Sequence, residues 1–164
     1  MTIHYIEATI EDLPTIVNIY NEAIPTHQST ADLELITVAD REDWFHSFDD
    51  THPIWLIYDN DQVVGWVALE QMYGRAAYKK SAEIAIYLTQ TTKGKGIGSQ
   101  TIEFIEQTAK RLGLKSIAGY VLSQNIPSQR MFQKAGFDQW GFMLDVCEFD
   151  GQFKGVYIFG YHPN

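Results

Sequence analysis

The stretch from Ser81 to Gly113, SAEIAIYLTQTTKGKGIGSQTIEFIEQTAKRLG, does most to limit the folds open to this chain. The run AEIAIYLT reads as a strand, short, apolar and bounded by polar residues. Beyond the glycines, Ile97, Ile102, Ile105 and Leu112 recur at helical spacing. Lys110 and Arg111 suit the C-terminal end of that helix's dipole, and Gly113 stands at its stop. Between strand and helix lies KGKGIG. Glycine loses more backbone freedom on folding than any other residue, so a helix directly after three of them needs a reason. A helix start leaves main-chain N–H groups unpaired, and these converge on an anion. The plainer reading is a tight strand-to-helix turn without a ligand.

Spacing removes two phosphate-binding readings. A nucleoside-triphosphate loop requires Gly-Lys-Ser/Thr at its end, whereas Lys95 is followed by Gly96. A dinucleotide fingerprint starting at Gly94 would meet Ser99 at its sixth position, and no acid follows at the required distance.

The rest of the chain alternates elements without a repeat, linker or low-complexity tract, so residues 1–164 read as one domain. IHYIEA is a first strand. Thr9 caps a helix whose buried face is Leu13, Ile16, Val17, Tyr20 and Ile24, with Asp12 three residues after the cap. Asp40 is expected to cap a second helix carrying Trp44, Phe45 and Phe48. PIWLIYD and QVVGWVALEQ form a hairpin around Asn60-Asp61. KSIAGYVL is a strand, and NIPSQRMFQKAG is a short helix with Asn125 as N-cap, Pro127 in its first turn and Gly136 as stop. Two strands close the chain around Asp150-Gly151. The class is α/β (α+β) with a mixed sheet.

The formal net charge of −9 disfavours nucleic acid and fits a small cationic substrate better. Lys79, Lys80, Lys93 and Lys95 nevertheless bracket the glycine loop as a local positive patch. No apolar run is long enough for a membrane span. With one cysteine, Cys147, and no signal-like N-terminus, a reducing cytoplasm is the expected compartment. The five histidines show no metal-ligand spacing, so no metal site is expected.

Taken together, Lys93-Gly94-Lys95-Gly96-Ile97-Gly98, then Asn125 and Ser128 before a helix ending in Gly136-Phe137, resemble the GCN5-related N-acetyltransferase (GNAT) superfamily. The first residue of the loop motif departs: Lys93 replaces Gln or Arg, keeping a cation without the guanidinium fork. SAEIAIYL, NIPSQRMF and the closing hairpin look most like the phosphinothricin and L-amino-acid N-acetyltransferase branch. The resemblance implies a mostly antiparallel central sheet, flanked by helices and splayed open between the strands at 82–89 and 115–122 to admit acetyl-CoA. It implies that Ile86, Tyr87 and Leu88 offer main-chain bonds to the pantetheine arm and thioester. Gly94 through Ser99, with Lys93, would hold the pyrophosphate, and Asn125 and Ser128 would line the far side. A homodimer is the assembly this resemblance allows.

Acetyl transfer to an amine needs a base for the amine proton, fixed donors for an oxyanion, and a proton or positive environment for the departing thiolate. The resemblance points to Glu83, at the head of the strand leading to the thioester, as catalytic base; desolvation would raise its pKa toward neutrality. Against this stand a solvent-facing Glu83 in an alternating strand, or a Glu83 paired with Lys79 or Lys80. Tyr73, Arg75 and Tyr78, just before it, are the candidate acceptor-binding residues, Arg75 as a clamp for a substrate carboxylate. Two departures stand out: Phe132 replaces the family's proton-donating tyrosine or histidine, leaving Tyr120 as one substitute donor, and Gly155 replaces an acid in the closing hairpin. The expected activity is direct acetyl transfer in a ternary complex to the primary amine of a small molecule, such as an amino acid or phosphinothricin-like analogue. The alternatives are a degenerate acetyl-CoA-binding module and a protein or peptide N-acetyltransferase.

Overall fold

The computed structural model describes residues 1–164. Seven strands form one sheet: β1 (Ile3–Glu7), β2 (Ile54–Asp59), β3 (Gln62–Gln71), β4 (Ser81–Leu88), β5 (Ser116–Leu122), β6 (Asp138–Phe149) and β7 (Gln152–Tyr161). Their spatial order is β1-β2-β3-β4-β5-β7-β6, and every pairing is antiparallel except β4 with β5. The helices are α1 (Leu13–Ala23), α2 (Glu42–His46), α3 (Ile97–Arg111) and α4 (Ile126–Lys134).

β2 and β3 read as nearly continuous apolar runs because the sheet is covered on both faces. Trp55, Ile57, Val67 and Leu69 face one layer, where Ile97, Ile102 and Ile105 of α3 pack with Phe132 and Phe159. Ile54, Leu56, Trp66 and Ala68 face the other, against Ile16, Ile19 and Tyr20 of α1. The expected inner face of α1 is buried throughout, from Leu13 to Ile24. Of the residues expected on the buried face of α3, Leu112 is only half-buried.

The caps explain where the helices begin. Thr9 N–H donates to Asp12 Oδ2 at 2.8 Å, and the chain makes one 3-10 turn before α1 starts at Leu13. Asp40 is not the cap of α2, contrary to expectation. Arg41 holds that place without a side-chain bond, while Asp40 is engaged upstream: Asp40 N–H donates to Thr37 Oγ1 at 3.2 Å, and Thr37 N–H donates to Asp40 Oδ2 at 2.8 Å. A 3-10 turn over Ala39–Arg41 follows, so α2 is only five residues long. Asn125 caps α4 as expected, its Oδ1 accepting from Ser128 N–H at 3.2 Å. Asp150 and Gly151 both have positive φ, as a tight hairpin turn with matching twist requires.

Candidate active site

β4 and β5 are paired only from Ser81 to Glu83, opposite Ser116 to Ala118. Beyond Glu83 they part, because β5 continues along β7 while β4 continues along β3 to Leu88. The gap opens into a cleft of about 560 Å³, within the range of small-molecule and cofactor sites. Strand alternation sorts what faces it. Thr89 N–H bonds Val64 on β3, so the main-chain groups of Ile86 and Leu88 point into the gap, and those of Tyr87 point to β3. Tyr87 contributes its side chain instead, stacked on Trp66 with its hydroxyl donating to the Ser29 carbonyl at 3.0 Å.

The floor of the cleft is the glycine loop. Lys93, Gly94, Gly96, Ile97, Gly98 and Ser99 all line it, while Lys95 is exposed outside it. None of the main-chain N–H groups from Lys93 through Ser99 donates to another main-chain carbonyl. Gly94 and Gly96 reach this arrangement with φ of 80° and 81°, a region that side chains disfavour. An unpaired N–H run at the start of a fifteen-residue helix suits the pyrophosphate of a coenzyme. Burial lowers the Lys93 pKa, and Glu22 nearby opposes that shift. Gly98 lets α4 approach: a β-carbon there would stand 2.5 Å from Met131 Sδ. Asn125, Ser128 and Phe132 of the α4 region close the far wall.

Glu83 lines the cleft where the strands separate; its partner on β5 is Ala118, and Tyr120 lines the cleft just beyond. Its pKa is pushed up to about 7, first by burial, then by the Glu70 carboxylate and the hydrogen bond between the two acids. No lysine or arginine forms an ion pair with Glu83, so a pairing with Lys79 or Lys80 is not formed. Tyr120 hydroxyl is 2.8 Å from that of Tyr73; burial first, then Tyr73, then Glu83 raise its pKa.

The three candidate acceptor residues are not gathered together. Tyr73 reaches the cleft only through Tyr120. Arg75 and Tyr78 line a separate depression with Asp49, His52 and Lys79. Sequence reasoning missed Gln28 and Ser29, which the turn after α1 carries into the cleft, and Glu70, which the β3–β4 register sets opposite Glu83. A loop between two strands hides that register, so Glu70 had no local signal.

Phe132 has no proton to give, and its ring is buried beneath β5 against Phe137 and Phe159. Gly155 also has a steric cause: a β-carbon there would stand 2.3 Å from Phe142 Cζ and 2.8 Å from the Met143 carbonyl oxygen. Cys147 lies on β6 opposite Lys154, away from the residues of the cleft.

A splayed sheet, a loop of unpaired N–H groups and a half-buried acid between them define an acyl-coenzyme A transferase. Residues 13–137 match the model of the acetyltransferase (GNAT) family, and the chain belongs to that family. It stands close to the phosphinothricin and amino-acid branch. A provisionally assigned phosphinothricin acetyltransferase of Bacillus subtilis, YwnH, is 37% identical over 150 residues, covering 91% of this chain and 92% of its own. The L-methionine sulfoximine/L-methionine sulfone acetyltransferase of Pseudomonas paraeruginosa is 25% identical over 142 residues, 85% of this chain and 83% of that one. A crystal structure of a protein provisionally assigned as a phosphinothricin N-acetyltransferase superposes with a TM-score of 0.95 at 34% identity, covering 99% of both chains. The protein is an acetyl-CoA-dependent N-acetyltransferase acting on a small-molecule amine.

Proposed function

We propose that the acceptor is an amino acid or close analogue, of the phosphinothricin or methionine sulfoximine kind, and that Glu83 takes the proton from its amine. The observation that carries this reading is the place of Glu83: the only paired stretch of β4 and β5 ends at it, and the cleft begins there. Burial and a neighbouring carboxylate give it the proton affinity that a base working near neutral pH needs. The names of the relatives support the amino-acid class of acceptor.

Acetyl-CoA supplies an activated acetyl group as a thioester. The N–H groups from Lys93 to Ser99 and the Lys93 ammonium would hold its pyrophosphate. Main-chain N–H groups of Ile86 and Leu88, left free by the splay, would stabilise negative charge on the acetyl oxygen. Glu83, on the opposite face of β4 from Ile84 and Ile86, meets the acceptor amine. With its one cysteine outside the cleft, the chain transfers the group directly rather than through an acyl-enzyme.

The test is free-thiol release from acetyl-CoA across phosphinothricin, methionine sulfoximine, proteinogenic amino acids, polyamines and peptides. The expected result is turnover with amino-acid analogues and none with peptides. Turnover confined to peptides would overturn the reading, as would thermal stabilisation by acetyl-CoA without thiol release from any amine.

A further inference from the structure

Glu70 and Glu83 are direct partners across the antiparallel β3–β4 ladder, so their side chains stand on one face of the sheet. Two like charges in that relation repel, and most sheets avoid the pairing or add a cation. Here no lysine, arginine or histidine forms an ion pair with either acid.

Glu70 is held in place from the other side. Trp44 Nε1 of α2 donates to Glu70 Oε1 at 2.6 Å. The indole is itself fixed by edge contacts with Trp66 and Phe48, at ring distances of 5.5 and 5.0 Å, and Arg41 lies over its face at 5.0 Å. Next along β3, Gln71 Nε2 donates to the Ser47 carbonyl and to Asp49 Oδ2, both at 3.1 Å, binding the end of α2 to the same strand. The groups facing Glu83 are therefore Glu70 from β3 and the Tyr120 hydroxyl from β5, the latter bonded to Tyr73 of the β3–β4 loop.

We propose that Glu70 is a positioning residue that acts through Glu83: the two carboxyl groups share one proton, and the Trp44 indole decides which of them carries it. The indole N–H already donates to one oxygen of Glu70. The shared proton then sits on Glu83, the acid that lines the cleft. Glu83 consequently releases it late in the titration and recaptures one readily from an amine. Glu70 is not among the residues lining the cleft and need not touch substrate. The bland alternative is that Glu70 is only the tether joining α2 to the sheet.

The inference rests on Glu83 being the base, and the experiment separates the two. The midpoint of Glu83 is followed by carbon-detected NMR of its carboxyl in the ligand-free protein, with the signal assigned by its loss in Glu83→Gln. The pH dependence of kcat/KM is measured in parallel. Glu70→Gln keeps an oxygen for Trp44 and removes the charge. It should lower the Glu83 midpoint by about one pH unit and move the acid limb of kcat/KM equally. Trp44→Phe should lower the midpoint too, because no indole then holds the shared proton on Glu83. A folded Glu70→Gln protein with the Glu83 midpoint unmoved overturns the proposal and leaves Glu70 a tether. A midpoint that moves while Glu83→Gln keeps the wild-type pH limb sustains the shared proton and removes Glu83 as base.

Discussion

A β-carbon placed on Gly119 would stand 2.9 Å from Phe132 Cζ, so the ring on α4 occupies the space that a side chain on β5 would need. Phe132 is thereby a packing residue of the core on the α3 side, stacked on Phe159. Gly119→Ala should destabilise the fold by about 1–3 kcal/mol through overpacking. Combined with Phe132→Leu, the cost should be clearly less than the sum of the single changes, because the two sites share one volume. Urea unfolding of the two single variants and the double variant measures this. Additive costs would show that the residues do not compete for space.

Glu83 must be deprotonated to act as a base, and burial with the Glu70 charge raises its pKa to about 7. The rate should therefore fall as pH drops below about 7 and level off above it. Glu83→Gln should abolish that limb and lower kcat by roughly 10²–10⁴ while acetyl-CoA affinity stays near wild type. A limb that survives in Glu83→Gln excludes this residue.

The same shift has a cost in stability with a definite sign. The folded state keeps a proton that the unfolded chain has already released, so stability is lost as pH rises from the usual carboxylate range through about 7. Glu83→Gln should be more stable than wild type above about pH 8, by roughly 1–2 kcal/mol after allowing for partial solvation, and no more stable below about pH 4. Denaturant midpoints at the two extremes test this. A gain at acid pH alone would reverse the sign and contradict the raised pKa.

Gly96 has φ of 81° directly before α3, and its β-carbon would meet nothing within 4 Å. Gly96→Ala should thus cost about 1–2 kcal/mol of folding stability from backbone strain alone. Acetyl-CoA affinity, measured calorimetrically, should fall at least about tenfold as the N–H groups are displaced from the pyrophosphate. Unchanged affinity would reduce the loop to a turn.

Burial and Tyr73 push the Tyr120 pKa above that of an ordinary phenol, so it stays protonated across the working pH range. Tyr120→Phe and Tyr73→Phe should therefore leave the acid limb of the pH profile where the wild type has it. The Tyr73–Tyr120 bond is exposed, so its loss should change stability by no more than about 1 kcal/mol. A limb displaced in Tyr120→Phe would show that the phenol, not Glu70 alone, helps set the titration of Glu83.

Much of this protein is written in short-range pattern. The helical spacing from Leu13 to Ile24, the Asn125 cap, the turn at Asp150-Gly151 and the strand-glycine-helix run could all be read along the chain, because each depends on residues within one or two turns. The glycine loop, through motif spacing, and Glu83, through the family resemblance, were also legible as candidates, and both line the one cleft. The Asp40 cap went astray within the same range, since Asp40 exchanges bonds with Thr37 and sits inside a 3-10 turn that delays α2 to Glu42.

Contacts across strands and loops follow other rules. Glu70 meets Glu83 only because the β3–β4 loop closes in one register, and a shift of one residue would send either acid to the other face. Arg75 and Tyr78 sit near Glu83 in sequence, yet that loop carries them to a separate depression, while Gln28 and Ser29 reach the cleft from far upstream. The chain's local order decided which elements form and how the glycine loop is made. Only the closed sheet decided that a second carboxylate, held by a tryptophan from α2, faces the acid at the mouth of the cleft, because register and burial are properties of the whole packed structure.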